Sequence, residues 1–276
     1  MSTSHTQHSK FSVIDRPGGT VAYEVAGDGP LIVCVPGMGD LRSSYRFVAP
    51  LWASAGYRVA LTDLRGHGDS SATFDEYGDE ATAGDITALI EKLGGPAIIV
   101  GNSLAPGSAV LVAAARPELV AGLVLVGPFV RPATLSTLQR LAFRVMMAPS
   151  WARMSWTSYL PKLYAGRKPT DFAEHRAQVS AALKRRGYAK AFSLTTHTSH
   201  EAAAAVLPSV NAPTLVVMGE RDPDFPDPAA EARWIGAQLN GTTLMVPEAG
   251  HYPQAQRPDL VAPAVEAFAD QVTARA

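Results

Sequence analysis

Three short stretches carry residues whose types suit work on a carbonyl. Ser103 stands in "IVGNSLAPG" (Ile99 to Gly107), where an apolar run stops abruptly and small residues open a helix-like segment. Asp222 follows "TLVVMGE" and an arginine, and His251 follows "TLMVPEAG". A serine hydroxyl is a weak nucleophile at neutral pH and needs an adjacent base. Imidazole, with an unperturbed pKa of about 6.5, supplies one. A carboxylate on its far nitrogen fixes the tautomer and stabilises the imidazolium. Small residues on both sides of Ser103, Gly101 and Ala105, suit a strained turn that pushes the hydroxyl into a cleft better than they suit an ordinary turn.

Such groups need a scaffold that brings distant segments together. Short apolar runs alternate with helix-like stretches: "FSVI", "VAYEVAG", "LIVCVPG", "RVALTD", "AIIVGN", "LVLVGPF", "TLVVMGE" and "TLMVPEAG". Several are continuous rather than alternating, as in strands covered on both faces. This order implies an α/β protein with a mostly parallel sheet. "DRPGGT" between the first two runs reads as a hairpin turn, which makes the leading edge antiparallel. "EATAGDITALIEKLGG" reads as a helix closed by a glycine at its C-cap. Between Val130 and Pro208 no run reads as a strand, and Pro149, Pro161 and Pro169 separate helix-like pieces. The division is a core of residues 1–129, with a polar tail over 1–10, then a helical lid over 130–208 and a second core part over 209–276. Ser103, Asp222 and His251 all fall at the carboxyl ends of strands, where open α/β sheets place their sites.

Composition narrows the function. The 276 residues are 47% hydrophobic and 18% charged with a net charge of −1, so neither a nucleic-acid nor an anionic-membrane partner is indicated. The single cysteine, Cys34, sits in an apolar run and reads as a buried thiol. It allows no internal disulfide, and together with an N-terminus lacking an apolar signal segment it favours a cytoplasmic protein.

Five motifs in order resemble those of the α/β-hydrolase family. "GNSLA" is similar to its G-x-S-x-G nucleophile elbow, with Ala105 at the second glycine, and Ser…Asp…His is its order. "PGMGD" (Pro36 to Asp40) resembles the loop after its third strand. "DLRGHGDS" (Asp63 to Ser70) resembles the loop after the fourth, "GERDPDFP" (Gly219 to Pro226) the acid loop, and "EAGHYPQAQRP" (Glu248 to Pro258) the histidine loop. The resemblance implies an eight-stranded sheet with helices on both faces and a helical lid inserted after the sixth strand. It also implies Ser103, Asp222 and His251 as catalytic residues, with the backbone N–H groups of Met38 and Leu104 as the oxyanion hole. No cofactor or metal is implied. Pro36 stands where the family often has histidine, which bears on the shape of that loop. The epoxide hydrolase and dehalogenase branches place aspartate where this chain has Ser103.

Plainer roles compete at each position. Ser103 alone would serve as an N-cap. Asp224 and Asp227 neighbour Asp222 and read as caps or turn residues; the family's Gly-x-x-Asp-Pro spacing selects Asp222. His67 in "RGHGDS" reads as structural, in a loop tied down by Asp63 and Arg65. His197 and His200 read as surface or pocket-lining residues. In the lid, Met146, Met147, Trp151, Trp156 and Tyr159 supply either packing or an apolar substrate pocket, with Phe129 and Tyr252 beside them. The cations from Lys162 to Lys190 read as a solvated lid surface. These residues point to a serine hydrolase acting on an ester or lactone of an apolar small molecule. A C–C bond hydrolase, an acyl transferase or perhydrolase with the same triad, and a low-turnover ligand receptor remain alternatives. Oligomeric state is not legible.

Overall fold

The computed structural model describes residues 11–133 and 136–274; the tail assigned to residues 1–10 lies outside them. Eight strands form one sheet: β1 (Ser12–Arg16), β2 (Gly19–Ala26), β3 (Leu31–Val35), β4 (Arg58–Thr62), β5 (Ala97–Asn102), β6 (Val120–Val126), β7 (Thr214–Gly219) and β8 (Thr242–Val246). Their spatial order is β1-β2-β4-β3-β5-β6-β7-β8. The β1–β2 and β2–β4 pairings are antiparallel, and every later pairing is parallel. The antiparallel edge is thus one strand deeper than a single hairpin.

The continuous apolar runs of the central strands have a direct cause. Successive side chains point to opposite faces, and both faces are covered. Val33, Val35 and Ile99 belong to one buried cluster, with residues of α2 (Asp79–Leu93), α3 (Ala105–Ala115) and α9 (Pro228–Gln238). Ile32, Cys34 and Ile98 belong to the opposite cluster, with Trp52 of α1 (Ala49–Ser54) and Val261 and Val265 of α11 (Pro258–Thr273). Burial also pushes the Cys34 thiol pKa well up, which keeps it unreactive. Helix α2 ends as its sequence predicts, with Gly94 in the left-handed conformation at the C-cap.

Among the described residues five α-helices separate β6 from β7: α4 (Thr137–Met146), α5 (Ala152–Leu163), α6 (Phe172–Lys184), α7 (Tyr188–Thr195) and α8 (Glu201–Val206). Trp156, Leu160 and Leu163 of α5, Val179 and Leu183 of α6, and Phe192 of α7 form a third cluster. It includes Tyr252 and Ala255 from the start of α10 (Pro253–Gln256), so these helices share a core with the histidine loop. Helix α4 opens with a capping box between Ser136 and Gln139 and has no buried residue of its own.

One helix boundary differs from the sequence reading. Pro161 lies inside α5 rather than ending a segment. A proline in a helix strips the carbonyl four residues earlier of its partner. That carbonyl belongs to Thr157, and the Arg176 side chain of α6 donates to it at 2.8 Å. A tertiary contact therefore supplies the bond that the proline removes. Among the described residues no helix is long and apolar enough to cross a membrane.

Candidate active site

The site begins where β5 ends. Ser103 has φ 62, in the left-handed region that few non-glycine residues enter. Two backbone bonds hold it there: its N–H donates to Val126 O at 2.9 Å, and its carbonyl accepts from Phe129 N–H at 3.0 Å. The tight turn brings the helix start back against the strand. A Cβ on Gly101 would lie 2.9 Å from the backbone of Ala105 and Pro106, which explains the small residue there. Pro106 sits in the first turn of α3, where no N–H partner is needed.

His251 and Asp222 arrive from the ends of β8 and β7. His251 Nδ1 lies 2.7 Å from Asp222 Oδ2, and both side chains are buried. The other ring nitrogen, Nε2, is buried and has no hydrogen-bond partner. Burial lowers the imidazole pKa, but the nearby carboxylates of Asp222 and Asp224 outweigh it and hold the pKa up to about 9. Neighbours fix the ring: it meets Tyr252 edge-on at 5.4 Å, and Phe129 lies 5.9 Å away. His251 N–H donates to Leu163 O at the end of α5, and Gln256 bridges Gly250 N–H to the carbonyls of Ala165 and Arg167. The histidine loop is thereby clamped to the segment between α5 and α6.

The loop after β3 closes the other side. A Cβ on Gly37 would sit 2.5 Å from Ser103 Cβ, so this backbone lies directly on Ser103. Gly39 N–H donates to His67 Nε2 at 2.8 Å, and His67 Nδ1 is 2.8 Å from Arg65 O. These partners require neutral His67 with its proton on Nδ1, and burial lowers its pKa accordingly. His67 is therefore structural, and its function is to hold the Met38–Gly39 backbone. Its own loop is anchored by Arg65 on Asp85 and by Asp63 on Arg42. Trp156 Nε1–H donates to Gly39 O at 2.7 Å, which ties α5 onto the same loop. Among the described residues, the N–H groups of Met38 and Leu104 have no hydrogen-bond partner.

The residues named as pocket-lining separate into two groups. Phe129, Trp156, Tyr159 and Tyr252 gather near the histidine, with Phe129 stacked on Phe225 at 4.9 Å. Met147 is fully buried in the helical cluster, while Met146 and Trp151 are 44% exposed on its outside. A cavity of about 1160 Å³ is lined by residues such as Glu24, Arg42, Ala53 and Arg185 and includes none of Ser103, Asp222 and His251. Ser103, Asp222 and His251 are themselves covered, to 7%, 2% and 1% exposure.

Sequence reasoning passed over one residue, Asn102, and read a second as a cap or turn residue. Asn102 is buried beside Ser103, and its Nδ2 donates to Val126 O at 3.1 Å and His251 O at 3.0 Å. It ties the elbow strand to the histidine loop. A buried amide at a strand end was the available signal. Removing it takes the amide donor from the His251 carbonyl, while Val126 O keeps the Ser103 N–H, so Asn102→Ala is expected to cost about 1–3 kcal/mol. A lower urea midpoint at constant m would register this loss. The second residue is Asp224. It is not a turn cap: Tyr159 Oη–H donates to its Oδ1 at 2.8 Å, and its Oδ2 lies 3.7 Å from His251 Nε2. Asp227, in contrast, caps α9 through Ala230 N–H. His200 pairs with Asp79 at 2.8 Å and stacks on Phe129. Asp222, Asp224 and His251 place ligand atoms within 4.8 Å of one another. The Asp222–His251 hydrogen bond already occupies two of the three groups, an arrangement suited to proton transfer.

Comparison with known proteins bears on this geometry. A family model described as "Alpha/beta hydrolase family" matches residues 32–264. A bifunctional epoxide hydrolase 2 of Sus scrofa is 32% identical over 93 residues, 33% of this chain and 17% of that protein. A 2-hydroxy-6-oxo-6-phenylhexa-2,4-dienoate hydrolase of Comamonas testosteroni is 31% identical over 129 residues, 45% of each chain. The matches thus span less than half the length of these relatives. Among solved structures, an esterase from Thermogutta terrifontis superposes with a TM-score of 0.76 at 22% identity, covering 95% of this chain and 99% of that one. An N-acyl homoserine lactone degrading enzyme gives a TM-score of 0.78 at 21% identity over 93% and 100%.

Proposed function

Since the chain belongs to the alpha/beta hydrolase family, we propose that it is a serine hydrolase that cleaves a carboxylic ester or lactone of an apolar small molecule. One observation carries the proposal: His251 is bound through Nδ1 to Asp222 while its buried Nε2 stays free, at the elbow where Ser103 is held at φ 62.

In this reading Ser103 Oγ attacks the carbonyl carbon and His251 Nε2 takes its proton. Asp222 keeps the second imidazole proton on Nδ1 and stabilises the imidazolium. The N–H groups of Met38 and Leu104 receive the oxyanion, and His67 keeps the first of these loops in place. The imidazolium protonates the leaving alcohol, and the acyl group stays on Ser103. Water, deprotonated by His251, then releases the acid. Aromatic side chains around the histidine suit an apolar acyl or ring group.

The Comamonas relative is named for hydrolysis of a dienoate, a substrate that carries a carboxylate. Asp224 beside Nε2 favours the ester or lactone reading over that one.

A fluorophosphonate tests the proposal. Intact mass should show a single adduct on the wild-type protein and none on Ser103→Ala. An unmodified, well-folded wild type would sink the serine-hydrolase reading and put the ligand-receptor alternative ahead.

A further inference from the structure

The triad needs one carboxylate, and this site holds two. Asp222 lies on the Nδ1 side of His251 and accounts for the tautomer. Asp224 lies on the Nε2 side, with Oδ2 3.7 Å from the nitrogen that exchanges protons with the nucleophile and leaving group. In the serine-hydrolase reading the reacting carbonyl lies on that side. Asp224 is not left to swing away, because Tyr159 of α5 holds its other oxygen at 2.8 Å and its own N–H donates to Asp222 Oδ1 at 3.0 Å. Among the described residues no lysine or arginine forms an ion pair with it. Its side chain is only 20% exposed.

A carboxylate in such a place has to be balanced by something. A buried charge is costly unless paired, and the imidazole is a poor permanent partner because it must lose its proton to act as base. Aromatic faces stand nearby: Phe129 and Phe225 are stacked at 4.9 Å, and Trp156 and Tyr159 lie 6.1 Å apart. Aromatic faces attract cations. A carboxylate fixed by a tyrosine among aromatic rings, beside the reacting atoms, suits a positively charged nitrogen and repels an anion.

We propose that Asp224, positioned by Tyr159, selects substrates bearing a cationic nitrogen near the scissile carbonyl and rejects substrates bearing a carboxylate there. The inference rests on the serine-hydrolase reading above and adds a substrate class to it. Burial raises the Asp224 pKa, the His251 charge lowers it and Asp222 raises it again. A bound substrate cation would favour its ionised form. The same cation would also draw the Asp224 field away from His251 and so ease formation of the neutral base.

The test compares three 4-nitrophenyl esters of similar length: butanoate, trimethylammonio-butanoate and the monoester of succinate. In the wild type, kcat/KM should fall in the order cationic, neutral, anionic, with roughly tenfold or more between the ends, as for unit charges a few ångströms apart at a partly screened site. Asp224→Asn, which keeps the shape and the Tyr159 contact, should bring the three rates together. Tyr159→Phe, which keeps the charge but frees it to move, should keep the order with a smaller spread. Equal wild-type rates for the three esters, or the same spread in Asp224→Asn, would overturn the inference while leaving ester hydrolysis intact. No turnover of any ester, with no fluorophosphonate adduct on Ser103, would overturn the underlying reading and the inference with it.

Discussion

Ser103→Ala is expected to lower kcat/KM for ester hydrolysis by about 10⁴–10⁶-fold, with no loss of fold. The magnitude follows from what remains. The oxyanion donors and the pocket would still bind an ester, but no group would form the covalent intermediate. Fold is preserved because the substitution removes only Oγ. Alanine keeps the Cβ that packs near Gly37, and the two backbone bonds to Val126 and Phe129 do not involve the side chain. His251→Ala should cost a similar factor, and the double variant little more, since the two residues act as a unit. Retention of a tenth of the activity in either single variant would reject Ser103 and His251 as nucleophile and base.

Much of this site was legible because its parts are local. An elbow serine needs small residues at fixed offsets, and Gly101 and Ala105 stand at those offsets. The strands that aim Ser103, Asp222 and His251 are short continuous apolar runs, a pattern set by burial on both faces. Pro161 misled because its cost depends on a distant arginine: without Arg176 on the Thr157 carbonyl, a break at that point is the sound expectation. Asn102 was missed, and Asp224 was read as a cap or turn residue, for the same kind of reason. One donates to a carbonyl 149 positions away and the other accepts a hydrogen bond from a tyrosine 65 positions away. No spacing rule in a single sequence contains those distances. His67 was read correctly as structural, but its acceptance of the Gly39 N–H, which links it to the proposed oxyanion loop, came only with the tertiary fold.

The two carboxylates of the acid loop should separate cleanly in their effects. Asp222→Asn is expected to lower kcat/KM by about 10⁴-fold even at the optimum pH, because the amide NH2 can donate to Nδ1 and favour the wrong tautomer, and no charge is left to stabilise the imidazolium. Asp224→Asn should cost a neutral ester far less, within roughly tenfold, since Asp224 lies on the Nε2 side and does not orient the ring. Asp224 cannot replace Asp222 from there, so no residual triad survives in Asp222→Asn. The pH profile gives a second, independent reading. His251 must be neutral to act as base, and its pKa is about 9: burial pulls it down, while Asp222, Asp224 and the more distant Asp40 push it up. Wild-type kcat/KM should therefore rise with pH until about 9 and then level. Removing the Asp224 charge takes away one of the groups that stabilise the imidazolium, so the rise in Asp224→Asn should move to lower pH. At neutral pH that variant would hold more of its histidine as free base than the wild type does. An acid limb that stays in place when Asp224 is neutralised would mean that its carboxylate does not act on the reacting nitrogen. A loss in Asp224→Asn as large as in Asp222→Asn would reverse their assigned roles.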